Sequence, residues 1–248
     1  MKKIISIALS AIIVLSALCF VSCDSEPELV DTINGMTVKE AVVMALEQLK
    51  NESRYRVIVD ADVKLNAVIT SVSLGSLDNF YENTTDGDNM HYKFTDEDLA
   101  FIDNEQIFSL IKDFDKEVWY VDGTRYGISS DGEKIIDDSG DRKPSNVIAK
   151  MVDSISASEI ESAVAYLDDG ETYIIVNVNI EEYNVGATSC KLFLNDDNKL
   201  STAILEGNLY GLSIDLTLSF EYGAMAQIKA PAGFEDAKKV YIEVPEEK

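Results

Sequence analysis

Leu212-Ser213-Ile214-Asp215-Leu216-Thr217-Leu218-Ser219-Phe220-Glu221-Tyr222 alternates apolar and polar side chains without an exception. Successive side chains of a β-strand point to opposite faces, so the stretch predicts a strand with one buried and one wet face. One-sided burial marks antiparallel sheets, because parallel sheets covered on both faces read as continuous apolar runs. A strand of this length also favours a strongly curved sheet over a small sandwich, whose strands are shorter.

The same period recurs along the chain. Tyr55, Val57, Val59, Ala61, Val63 and Leu65 alternate with Arg54, Arg56, Asp60, Asp62 and Lys64, and Ile58 is the one interruption. Ile174, Val176, Val178 and Ile180 are set against Asn177, Asn179 and Glu181. Thr188, Cys190, Leu192 and Leu194 continue the pattern up to a turn at Asn195-Asp196-Asp197-Asn198. Weaker strand signals cover 67–77, 90–94 and 99–102. Between the apolar runs 117–121 and 124–128 stands Asp122-Gly123, which favours the positive φ values of a primed hairpin turn.

Two regions carry the helical period instead. Thr37 and Glu40 stand in capping-box register ahead of Val38, Ala41, Val42, Ala45, Leu46 and Leu49, which predicts a helix over 37–50 with one apolar face. Val147, Ile148, Met151, Val152 and Ile155 predict a second helical region over 145–167. Ser158-x-x-Glu161 restarts it through Ile160, Val164 and Leu167. Apolar helix stripes need the apolar faces of strands. The expected fold is therefore α+β, a single strongly curved antiparallel sheet, or half-barrel, wrapped around two or three helices and filling 37–248 as one domain.

The N-terminus reads as an address. Lys2-Lys3, an apolar run from Ile4 to Val21 broken by serines, and Ser22-Cys23 have the layout of a secretory signal peptide over 1–22. Phe20-Val21-Ser22-Cys23 resembles the lipobox of bacterial lipoproteins, with Phe20 where Leu is usual. That resemblance implies an acylated Cys23 as lipid attachment site, and residues 23–36, with Glu26-Pro27-Glu28, read as an acylated tether. An uncleaved anchor is the alternative, since about 18 apolar residues is the lower limit for a span. Both place the body in the cell envelope, facing the periplasm or the exterior, with the membrane as partner. One lipid chain holds a protein marginally and two hold it stably.

With 21 Lys and Arg against 45 Asp and Glu, the formal charge is −24, and loss of Lys2 and Lys3 with the leader makes it more negative. Nucleic-acid affinity rests on basic side chains neutralising phosphates, and the basic residues here come in pairs such as Arg142-Lys143 and Lys238-Lys239, so nucleic acid is excluded as a partner. Cys19 leaves with the leader and Cys23 is acylated, which leaves Cys190 without a partner for a disulfide and suits it to a small buried hydrophobe.

Catalytic patterns are missing from the sequence. His91 is the sole histidine, which excludes His-rich zinc sites, and no Gly-x-Ser-x-Gly accompanies it. There is no P-loop and no Gly-x-Gly-x-x-Gly, so no cofactor is expected. Asp86-Gly87-Asp88-Asn89 and the acidic run 137–141 could take calcium, but neither has EF-hand spacing, and turn chemistry explains both. The expectation is a protein that is not an enzyme and holds no metal. A carboxylate-dependent hydrolase is the weakest of the readings.

In layout, 37–231 resembles the superfamily of the lipoprotein-localisation factors and the mycobacterial lipid-carrier lipoproteins. Those proteins share an acylated cysteine, an early helix, long antiparallel strands and an inserted helical segment. Trp119-Tyr120-Val121-Asp122-Gly123, with the Ser130-Asp131-Gly132-Glu133-Lys134 turn after it, is similar to their aromatic hairpins. The resemblance implies a half-open barrel that binds a lipid or acyl chain between sheet and helices. Val57, Val59, Ile174, Val176, Leu216, Leu218 and Phe220 are the candidate cavity lining. The same residues would equally form a filled core, since alternation reports which face is buried and not whether space remains there. That alternative is an envelope lipoprotein acting through contacts with a basic protein partner.

Overall fold

Leu212–Tyr222 is a strand along its whole length, and so is Arg54–Asn66. The computed structural model describes residues 27–66, 71–94, 115–138, 157–180, 185–209, 212–223 and 225–240. In chain order the first elements are β1 (Glu28–Val30), β2 (Thr32–Ile33), β3 (Met36–Thr37), α1 (Val38–Asn51), β4 (Arg54–Asn66), β5 (Ser71–Asp86) and β6 (Asn89–Phe94). There follow β7 (Glu117–Val121), β8 (Thr124–Ile128), β9 (Lys134–Asp137), β10 (Ile160–Asp168) and β11 (Glu171–Ile180). The last are β12 (Val185–Leu194), β13 (Leu200–Leu209), β14 (Leu212–Tyr222) and β15 (Lys238–Lys239).

The expected α+β half-barrel around two or three helices is corrected by this inventory. Among the described residues thirteen strands belong to one sheet, and the sheet is mixed, since β15 pairs parallel with β9. Among the same residues α1 is the one helix. Where it is described, the second helical region is turn over 157–159 and strand after it: 160–168 pairs antiparallel with β11. Asp169 and Gly170, at φ 47° and 85°, make the two-residue turn between them. The rest of that region up to 156, and the strand expected at 99–102, lie outside the described residues.

The chain divides into two compact units. The first comprises 1–52, 61–76 and 147–219, and the second 53–60, 77–146 and 220–248. In the first unit the strand order is β1-β10-β11-β12-β13-β14, with β2 and β3 as a separate hairpin. Part of the stretch read as a tether is thus strand: Glu28, Leu29 and Val30 pair with Leu167, Tyr166 and Ala165. α1 begins with the capping box that its sequence predicts. The Thr37 hydroxyl accepts from the Glu40 N–H, and the Glu40 carboxylate accepts from the Thr37 N–H at 2.9 Å. Its apolar stripe, Val38, Ala41, Val42, Ala45, Leu46 and Leu49, is buried, and the helix rests on β10 and β13. Lys39 Nζ ties its first turn to the Ile160 carbonyl at 2.7 Å.

The second unit is a run of hairpins, β5-β6-β7-β8-β9, closed by β15. Asp122 and Gly123 make the primed turn that their sequence predicts, with φ of 50° and 80°. One face of the run carries Trp119, which stacks on His91 at 4.9 Å and meets Phe234 edge-on at 5.9 Å. Phe234 also meets Tyr126, so the segment before β15 covers this face.

Candidate functional site

Antiparallel register lines up side chains into rows across the first unit. Val30, Ala165, Ile174, Leu192, Ala203 and Leu218 are successive direct partners, one from each of β1 and β10 to β14. From Ala165 onward their exposures are 0, 1, 6, 8 and 8%. Alanines stand in this row on β10 and β13, the two strands on which α1 rests.

The neighbouring row is equally apolar and differently covered. Ala163, Val176, Cys190, Leu205 and Leu216 are direct partners across β10 to β14. Val176 is buried, whereas Ala163, Cys190, Leu205 and Leu216 are half-buried. Five strands spaced about 4.8 Å apart make this strip about 19 Å long. Nothing in it is reactive. The Cys190 thiol donates to the Val176 carbonyl at 3.7 Å, and burial pushes its pKa up to about 11, which keeps it protonated.

The structure therefore sorts the seven residues read as cavity lining. Ile174 and Leu218 belong to the covered row, and Val176 and Leu216 to the half-buried strip, all in the first unit. Val57, Val59 and Phe220 belong to the second unit, where each is buried. Periodicity alone misses Ala163 and Leu205 and offers Cys190 only as core. Alternation gives the face of each residue, and only register makes them a row.

A second feature is likewise hidden from periodicity. In the second unit Tyr81 pairs with Phe94, Asn83 with Tyr92 and Thr85 with Met90, all on one face. Asn83 is 1% exposed. Its amide donates to the Tyr81 hydroxyl at 2.8 Å, and Oδ1 has no partner among the described residues. Burial pushes the Tyr81 phenol up to about 12 and raises Tyr92 further. Farther along this face, Arg125 is paired with the Asp115 carboxylate and stands opposite buried Asp137. A Cβ at Gly127 would lie 3.1 Å from the Arg125 guanidinium, so the missing side chain there makes room for it. The signal in the sequence is the density of aromatics in 80–94 and 117–126.

The remaining polar candidates resolve into local structure. His91 Nε2 lies 2.8 Å from Glu117 Oε1. Asp86 is paired with Arg54 at 2.9 Å at the end of β5. In the acidic run 137–141, Asp138 pairs with Lys239 at 3.5 Å, and 139–141 lie outside the described residues. The Asn195 side chain accepts from the Asp197 and Lys199 N–H groups, a turn built on its own amide. Among the described residues no group of three or more His, Cys, Asp or Glu could hold a metal. A cleft of about 400 Å³ at the C-terminus of α1 is lined by Met44, Glu47, Gln48, Asn51, Glu52 and Lys199. Five of its six lining residues carry polar or charged groups, and two of them, Lys199 and Glu52, are ion-paired at 2.6 Å.

No family model and no curated protein matches this chain. Among solved structures it is similar to a LolA superfamily protein from Nitrosomonas europaea, at 7% identity and a TM-score of 0.28, over 77% of this chain and 96% of that one. It is also similar to a DUF1329 family protein from Desulfovibrio piger, at 8% identity and a TM-score of 0.24, over 74% and 91% of the two chains. TM-scores this low assign the chain to neither family.

Proposed function

We propose that this chain is a bacterial cell-envelope lipoprotein, anchored through acylated Cys23, that binds a lipid or acyl chain without catalysis. The observation that carries the reading is the strip Ala163, Val176, Cys190, Leu205 and Leu216. Its side chains are apolar and in register, and four of the five are only half-buried beside a row that is buried from Ala165 to Leu218. Elongated apolar surface with no polar group in it suits an alkyl chain, which needs area and no hydrogen bonds. The leader and the Phe20–Cys23 tetrad support the location. Among the described residues no helix is long and apolar enough to cross a membrane.

The covered row favours a second reading, in which the core is filled and the protein acts by protein contacts. Native mass spectrometry of the chain extracted from bacterial membranes, joined to titration with a fluorescent fatty acid, separates the two. The lipid-binding reading expects co-purified lipid and saturable uptake of the probe. A chain recovered without lipid that takes up no probe would overturn it.

A further inference from the structure

The face of the first unit opposite α1 carries a concentration of exposed apolar surface. Among the described residues the large apolar side chains most exposed are Leu29, Val164 and Leu167, all on β1 and β10; Leu29 and Val164 lie on this face, and Leu167 lies on the other with Ala165. Leu29, 64% exposed, stands opposite Tyr166, and by alternation Val164 shares their face. Tyr166 stacks on Tyr173 at 5.4 Å, and Tyr173 meets Phe193 at 6.3 Å. Lys191 Nζ stands 3.8 Å from the Tyr173 ring centre and 5.0 Å from that of Phe193. The result is a ladder from the edge strand β1 across to β12, aromatic, with a cation at its centre.

From this ladder we infer that Leu29, Tyr166, Tyr173, Phe193 and Lys191 form the surface on which the protein rests on a zwitterionic phospholipid bilayer. The inference rests on the proposed acylation of Cys23. Five residue steps separate Cys23 from Glu28, so the anchor lies within about 18 Å of β1 even at full extension. Glu28 pairs with Leu167, which places the patch at the end of the chain that the lipid holds. Tyrosine suits the headgroup layer, its ring in the apolar boundary and its hydroxyl in water. Lysine lays its stem along apolar surface and raises its ammonium to the phosphates. Asp168 and Glu171 close the neighbouring turn, and with a net charge of −24 they disfavour an anionic surface.

The test uses the full acylated chain in phosphatidylcholine vesicles, with Cys190→Ala and a nitroxide on Thr202→Cys, the direct partner of Phe193. Collision with oxygen against a water-soluble nickel chelate reads the depth of the label. With the ladder seated on the bilayer, the oxygen-to-chelate ratio rises several-fold on reconstitution and returns to its aqueous value in the Leu29→Ser, Phe193→Ser chain. An acylated, vesicle-bound chain whose label keeps the aqueous ratio would overturn this inference alone. Shielding from both quenchers with a doubled mass would also overturn it, in favour of a second copy of the chain on this face. An intact mass without acyl groups would overturn the lipoprotein reading and this surface with it.

Discussion

Leu205 stands opposite Leu216 across β13 and β14 with both side chains half-buried, while two residues along the same strands Ala203 stands opposite Leu218 with both buried. Adjacent pairs on one face thus differ in how deeply they are buried. The Ala203–Leu218 pair belongs to the buried row, and Leu205–Leu216 to the half-buried strip beside it.

This contrast predicts opposite outcomes for one kind of substitution. Leu205→Asp keeps its carboxylate partly in water, so the chain stays folded and its affinity for a fluorescent fatty acid falls at least about tenfold, about 1.4 kcal/mol. Ala203→Asp places a charge at a buried position, and a buried unpaired charge costs several kcal/mol. It is expected to yield little folded protein. Circular dichroism and probe titration on both variants distinguish the two behaviours.

Ile174 is 1% exposed and sits between Ala165 and Leu192 in the covered row. Ile174→Ala removes buried methyl groups and leaves a cavity, at a cost of about 2–5 kcal/mol. Urea denaturation checks this through a lower midpoint at unchanged slope.

How much of this was legible in the sequence varies from element to element. Leu212–Tyr222 states its face and its length openly, and Asp122-Gly123 states its turn. Thr37 and Glu40 likewise announce the start of α1. Ile160–Asp168 conceals its strand, because the register shifts between Ile160 and Ser162 and the irregularity breaks the period of two. Ile160, Val164 and Leu167 then fall at helical spacing, and pairing with β11 across Asp169-Gly170 decides the conformation instead. The strip was legible only in pieces, since Val176 and Leu216 lie 40 residues apart in sequence and share a row only through pairings that alternation does not specify.

Acid should loosen α1 from its first turn. Hydrogen bonds from the Thr37 backbone and then its hydroxyl hold the Glu40 carboxyl below the usual range. A depressed folded pKa stabilises above the unfolded value and ceases to do so as pH falls through the folded one. Glu40→Gln is expected to flatten the stability-against-pH profile on the acid side. Thr37→Ala should cost about 1 kcal/mol at neutral pH. Thermal melts across the acid range check both.

Alkali should act on the second unit through Tyr81, whose phenol burial pushes up to about 12. A raised folded pKa stabilises below the unfolded value, near 10, and that contribution is lost as pH rises through the folded one. Tyrosinate absorbance during an alkaline titration should show a late-ionising group that Tyr81→Phe removes.

Photo-crosslinking with a diazirine-bearing fatty acid, followed by peptide mass spectrometry of the full-length protein, tests the central claim most directly. Lipid binding on the strip predicts adducts concentrated on Ala163, Val176, Cys190, Leu205 and Leu216, competed by unlabelled fatty acid. Saturable crosslinking that leaves all five residues unmodified, or no competed crosslinking at all, would contradict it.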